Sequence, residues 1–207
     1  HAHGKQDRRG GGEDMITLGT HLFNMMRFFA GDVQWMSAHV TENGQELHPD
    51  HVREPSEPVG PVAGDCINSY FAFSSGVSGF FDSRKDQAGS SQRYGMEIIG
   101  SEATLSLRGG SGSELMLYPH PVFRPADGDQ SWTPVTDLPD SGLGLGNQLA
   151  IRDLIDAAES DREPVSSAAA AVAALEMIHG AYASQITGHR VEMPMTHRQH
   201  PLVEFAQ

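Results

Sequence analysis

Cysteine is almost missing from this chain of 207 residues: Cys66 stands alone. No disulfide can form within the chain. Cys66 precedes an apolar run and has no basic residue close by, so it reads as a small core residue rather than a reactive thiol. Lysine is nearly as scarce, with only Lys5 and Lys85. Acidic residues outnumber basic ones, 27 against 14, and the formal net charge is -13. Such a chain has no general attraction to nucleic acid or to an anionic membrane, and neither is expected as a partner. No apolar stretch approaches the roughly 20 residues of a membrane span. The eleven histidines include no His-Glu-x-x-His pattern and no clustered Cys/His spacing, so no metal site is expected. No Gly-x-Gly-x-x-Gly turn follows a strand. Gly142-Leu143-Gly144-Leu145-Gly146 has the wrong spacing and follows a Pro-rich loop, so it reads as a helix-entry loop.

What is present is a globular composition, 38% apolar and 20% charged, with 23 glycines that cluster. The start, His1 to Gly12, is polar and Gly-rich and shows no secretory leader. The expected location is the cytoplasm, with export to the periplasm left open because the segment before His1 is not in view. From Glu13 to Phe29, apolar residues recur every three or four positions, which predicts one helix ended by Gly31. Residues 33–41 alternate as a strand. Residues 42–64 contain Pro49, Pro55, Pro58 and Pro61, and read as a long excursion of the functional or disordered kind. Strands are then expected at 66–75, 77–84, 93–100, 103–109 and 114–119, with one more near Trp132–Val135. Short Gly and Ser stretches separate them, so the sheet is largely antiparallel. Helices follow at 145–161, with Asn147 or Ser141 as cap, and at 166–188, with Ser166 as N-cap. A last strand at 190–194 runs into a polar tail. The expected fold is α+β, a large open and mostly antiparallel sheet with helices packed on one face.

The chemistry-bearing stretch is residues 10–32. At about 100° per residue, Asp14, Thr17, His21 and Asn24 fall within one narrow arc of an otherwise apolar helix. Burying such groups without partners costs about 1–3 kcal/mol each, so the stripe faces water, a polar network or a ligand. Histidine ordinarily titrates near ~6.5 and can move a proton at neutral pH. The spacing alone leaves both a structural and a proton-transfer role open for His21. Arg8, Arg9 and His3 precede the glycines and read as a solvated terminus. His179 reads as a packed residue. Trp35, Phe71, Phe73, Phe80 and Phe81 read as core or sheet-face residues, any exposed share of them pointing to an oligomer contact.

The same stretch resembles the opening of the C-terminal domain of Gfo/Idh/MocA oxidoreductases, a Gly-rich loop leading into a helix with an Asp-x-Gly-x-His pattern. Gly19 and His21 match; Thr17 stands where Asp is usual, and Asn24 where a second Asp is common. Residues 96–107 are similar to the family's Ile-x-Gly-x-x-Gly-x-Leu strand pair, with Ala103 in place of the second Gly. Residues 147–167 resemble its helix and Arg-x-Pro-Val segment. Residues 174–194 resemble its closing helix and strand, ending Ser184, Gly188, Val191, Pro194.

The resemblance implies that residues 1–207 form a single substrate-binding and oligomerisation domain. Its Rossmann partner domain, which holds NAD or NADP, lies outside this chain. It also implies hydride transfer on a sugar, inositol or related polyol, with His21 as the catalytic proton carrier. Asp14, Thr17 and Asn24 would support it at the substrate. The outer sheet face would form a homo-oligomer contact. No cofactor is expected on this chain alone, and alone it is expected to be inactive. Two departures weigh on this. A neutral Thr17 leaves His21 a weaker base than an Asp would, and the family's Lys-Pro dipeptide is not found here. The rival expectations are an NAD-dependent glycosidase or lyase of the same fold, or a non-catalytic binding or assembly module.

Overall fold

The computed structural model describes residues 11–55, 58–85, 94–109, 114–121, 131–139 and 142–207. In chain order the elements are α1 (Gly11–Thr17), α2 (Gly19–Ala30), β1 (Val33–Glu42), β2 (Gln45–Glu46), a 3-10 turn (Pro49–His51), β3 (Cys66–Phe73) and β4 (Ser78–Arg84). Then come β5 (Tyr94–Ile99), β6 (Thr104–Gly109), β7 (Glu114–Tyr118), β8 (Thr133–Pro134), α3 (Leu143–Glu159), α4 (Ala168–Thr187), β9 (Val191–Glu192) and α5 (Pro201–Phe205). The chain divides into two compact units, residues 1–87 with 166–207, and residues 88–165. The class is α+β as expected, and every pairing between these strands is antiparallel.

In the first unit the sheet order is β2-β1-β3-β4, with β9 also pairing β1. Strand β3 shows why one face is dry. Ile67, Ser69, Phe71 and Phe73 alternate inward and are buried, while Cys66, Asn68, Tyr70 and Ala72 face outward. Against the inner face lie Met15 of α1, Phe23 of α2, and Met177, Ile178, Ala181 and Tyr182 of α4, all essentially inaccessible. Phe23 packs on Phe71 and Phe81, ring centroids 5.6 and 4.7 Å apart. Cys66 is half-buried at the head of β3, where its sulfur accepts from the Asn68 amide, so it is not a core residue.

The edge of β1 away from β3 is closed in an unusual way. Strand β9 pairs with Trp35 and Met36, and β2 with Thr41 and Glu42. Between them, side chains of α4 stand in for a strand. Ala38 N–H donates to Ser184 Oγ (3.0 Å), and Val40 N–H donates to Gln185 Oε1 (2.7 Å). Ser184 Oγ in turn donates to the His189 carbonyl at 2.8 Å. Buried backbone donors on a sheet edge must find partners, and here a helix supplies them.

In the second unit β5-β6-β7-β8 form a four-stranded meander. Arg108 sits over the Trp132 ring at 5.8 Å, and Trp132 packs on Tyr118. Helix α3 does not bury the face its periodicity marks out. Leu149, Ile151, Leu154 and Ile155 are all more than half exposed, and Ala157 is buried instead. Asp153 ties the helix to the following turn, accepting from Arg162 at 2.7 Å and from Val165 N–H at 2.7 Å. Those two donors hold its carboxyl below the usual carboxylate range.

Several expectations are corrected. The helix over 13–29 is two helices, interrupted at Leu18. The N-cap of α4 is Ser167, whose hydroxyl accepts from Ala170 N–H at 3.1 Å, rather than Ser166. The cap of α3 is Gly142 with no side-chain bond, not Asn147; Ser141 lies outside the described residues. The excursion over 42–64 carries β2, the 3-10 turn and a bridge between Arg53 and Val62. The tail after 194 is not simply polar, for α5 buries Leu202 completely.

Candidate functional site

The glycines that open the site are there for close approach. Gly12 N–H donates to the Gly64 carbonyl at 3.0 Å. A Cβ on Gly12 would lie 2.4 Å from the Ala63 carbonyl oxygen and 2.6 Å from Tyr182 Oη, so only glycine fits. Tyr182 completes this knot. Its hydroxyl donates to the Ala63 carbonyl at 3.2 Å and faces the Ala63 N–H at 3.4 Å. Burial pushes the Tyr182 phenol up to about 12, against a smaller opposing pull from its bond to Ala63, so it is a neutral structural donor. The start of α1 is thus pinned to the loop at Ala63–Gly64 and to α4. Residues 1–10, with His3, Arg8 and Arg9, lie outside the described residues.

The four stripe residues then fall on either side of the break. Asp14 is buried in α1, and its carbonyl accepts from Leu18 N–H at 2.8 Å as the helix ends. Thr17 closes α1 half-buried, its hydroxyl donating back to the Glu13 carbonyl at 2.9 Å. Helix α2 restarts at Gly19, where a Cβ would crowd Phe23 at 3.3 Å and meet Met15 in ordinary contact at 3.6 Å. The restart lets Met15 and Phe23 enter the same core from two helices. His21 lies in the first turn of α2 and is exposed; Asn24, one turn on, is half-buried. Among the described residues, neither the His21 ring nor the Asn24 amide has a side-chain hydrogen-bond partner. The phase argument from a continuous helix therefore does not carry across Leu18. What survives is an accessible imidazole at His21 on the first turn of α2.

A different depression, of about 480 Å³, lies on the outward face of the first sheet, lined by Ser37, His39, Asn68, Tyr70, Phe80 and Asp82 among others. It contains none of the stripe residues. Trp35, Tyr70 and Phe80 form an aromatic chain across this face, with centroid spacings of 5.2 and 5.3 Å. Phe80 is 76% exposed, whereas Phe71, Phe73 and Phe81 are buried.

Among the described residues no three His, Cys, Asp or Glu side chains come together as a metal site. A dinucleotide needs a Gly-rich turn between a strand and a helix. Gly144 and Gly146 instead lie inside α3, with open space around both, so these residues do not form such a cradle. No helix is long and apolar enough to cross a membrane among the described residues.

The α+β order, the pinned Gly-rich start and the closing helix and strand now meet an independent finding. The family model for the oxidoreductase family C-terminal alpha/beta domain, Gfo/Idh/MocA type, matches residues 4–193. The chain belongs to this family. Residues 194–207 lie beyond the match.

Solved structures agree at the level of fold. Levoglucosan dehydrogenase, solved with NADH and L-sorbose, is similar at 19% identity and a TM-score of 0.62, over 86% of this chain and 49% of that one. An oxidoreductase from Agrobacterium radiobacter, solved with NAD+, L-tartaric acid and magnesium, is similar at 18% identity and a TM-score of 0.56, over 84% and 47%. The aldose-aldose oxidoreductase from Caulobacter crescentus, solved with glycerol, is similar at 16% identity and a TM-score of 0.58, over 84% and 46%. This chain therefore spans about half the length of these proteins. No curated protein matches it in sequence.

Sequence reasoning did not read the contacts that Tyr182, the Ser184–Gln185 pair and His200 make. The first two act through contacts between distant segments, which no periodicity reveals. His200 did carry a signal, since His200-Pro201 sets a Pro at the first position of α5.

Proposed function

We propose that residues 1–207 form the substrate-side and oligomerisation domain of an NAD(P)-dependent oxidoreductase acting on a sugar, inositol or related polyol. The observation that carries this reading is the family match over residues 4–193 combined with an accessible imidazole at His21, on the first turn of α2. The three solved structures above, crystallised with NADH, NAD+ or small polyhydroxy compounds, support the cofactor and substrate classes.

In this reading the nicotinamide cofactor is held outside this chain, by a Rossmann domain. The chain's own part is to shape the substrate side and to move one proton. His21 accepts the proton of the substrate hydroxyl as the carbonyl forms, and returns it in the reverse direction. In this reading Asp14, Thr17 and Asn24 are its supporting residues on the substrate side. Thr17 supplies no carboxylate to orient the ring, and its hydroxyl is committed to Glu13. Thr17 therefore gives His21 no charged orienting partner.

The test is sugar- and polyol-dependent NAD(P)+ reduction by the intact protein, wild type against His21→Gln. The expected loss is about 10²- to 10⁴-fold in kcat, with KM little changed. Unchanged turnover would sink the assignment of His21 and favour the second reading, a binding or assembly module without catalysis. The commitment of Thr17 to its own helix backbone is the observation that favours that rival. For the chain by itself, titration with NADH is expected to show no binding at micromolar levels.

A further inference from the structure

We propose that residues 195–207 form a pH-sensitive strap over α4, docked while His179 and His200 are both neutral and released when the pair takes up a proton. The strap lies wholly beyond the family match. It is held at three points. Met195 is buried, and Leu202 is completely buried in the core that α4 helps to form. Arg198 pairs with Glu176, a carboxylate of α4 that is itself buried. Between these anchors the His179 and His200 rings pack with centroids 4.5 Å apart.

The geometry makes protonation costly in two ways. His200 caps α5, and its Nδ1 accepts the Leu202 N–H at 3.2 Å. That bond needs a lone pair on Nδ1, so it exists only for the neutral ring with its proton on Nε2. Charging His200 removes the acceptor and leaves the Leu202 amide unpaired. Charging either ring also places a cation against its partner, with no unpaired anion facing it among the described residues. Among the described residues, Tyr182 packs 5.7 Å from His200 and is held neutral by burial, and Glu176, one turn before His179 on α4, is already taken by Arg198. On the strap itself, Glu204 is taken by His197 at 3.1 Å. Near Tyr182, Arg53 and Glu42 pair with each other at 3.0 Å. From the loop side comes the uncharged Gly60, where an added Cβ would lie 3.7 Å from the His200 ring.

The electrostatics run the same way. Burial lowers both imidazoles from the usual 6.5, and His200 is carried down to about 4, first by burial and then by His179. A depressed histidine contributes docking stability above the free value and loses it as pH falls through the bound value. The strap is therefore fully docked above about pH 6.5 and weakens from there toward pH 4. For His200 alone the docked-to-released ratio falls by at most roughly 300-fold, less after solvent screening of a partly exposed ring.

Amide hydrogen exchange on the full chain, corrected for intrinsic rates, tests this. Between pH 7 and pH 4.5, protection at Leu202 and Val203 should fall at least about tenfold while Phe71 in β3 holds. His200→Asn keeps a capping acceptor and cannot titrate, and should cut the fall to less than about threefold. His179→Phe keeps the ring packing and removes the second charge, so the fall should shrink there too. If His200→Asn fails to dock at pH 7, His179→Phe carries the test. The proposal is overturned if wild-type protection does not change, if strap and sheet open together, or if the variants that dock fall as far as wild type.

Discussion

Gly12 shows how one residue's lack of a side chain positions the candidate site. The Ala63 carbonyl and the Tyr182 hydroxyl occupy the space a Cβ would need. Gly12→Ala must push apart two backbones and a buried ring, so we expect it to destabilise the first unit by about 1–3 kcal/mol in urea denaturation. Gly146, inside α3 with nothing within 4 Å, is the contrasting case. Gly146→Ala should stabilise α3 by about 0.5–1 kcal/mol, because helix formation costs glycine more backbone entropy. Equal effects from the two substitutions would contradict the packing argument. His21 differs from both. It is exposed and buries nothing, so His21→Gln should leave the thermal midpoint within about a degree of wild type while removing turnover. A large drop in stability would return His21 to a structural role.

At the scale of the element, α4 is the hub of the first unit. It is an Ala-rich helix with a broad apolar surface, and it packs on β1, α1, α2 and α5. Its C-terminal turn also repairs the edge of β1 through Ser184 and Gln185. Ser184→Ala leaves the part-buried Ala38 amide and the His189 carbonyl without their partner, and should cost about 1–3 kcal/mol. Faster amide exchange at Ala38, with Phe71 unchanged, would locate that loss at the edge. At the other end the two adjacent serines separate cleanly. Ser167→Ala removes the cap on Ala170 and should cost about 1 kcal/mol, whereas Ser166→Ala should stay within about 0.5 kcal/mol in the same melts.

At the scale of the whole molecule, the outward face of the first sheet is where a second copy would sit in our reading. A face carrying Trp35, Tyr70 and a Phe80 that is 76% exposed is the kind of aromatic surface that association covers. Phe80→Asp should convert an oligomer to a monomer in sedimentation without unfolding it. A wild-type chain that sediments as a monomer at tens of micromolar would remove the oligomer from the proposal.

The sequence by itself determined the α+β class, the order of the long elements and the family, because these rest on local signals. Alternation over 66–73 reports a strand with one dry face, and threefold and fourfold spacing over 13–29 reports a helical stripe wherever the rest of the chain folds. It also determined that a Gly-rich start leads into a helix carrying His21. Only the tertiary structure decided the rest. It broke the first helix at Leu18, because Met15 and Phe23 enter one core from two directions. It chose Ser167 over Ser166 as cap, because that choice depends on one residue's backbone turn. It gave Gly12 its reason through Ala63 and Tyr182, contacts made across large sequence separations. It turned a tail that reads as polar into a strap, because one leucine and one histidine suffice when a buried helix lies waiting beneath them. Contacts of that kind depend on where distant segments meet, and no spacing within a segment encodes it.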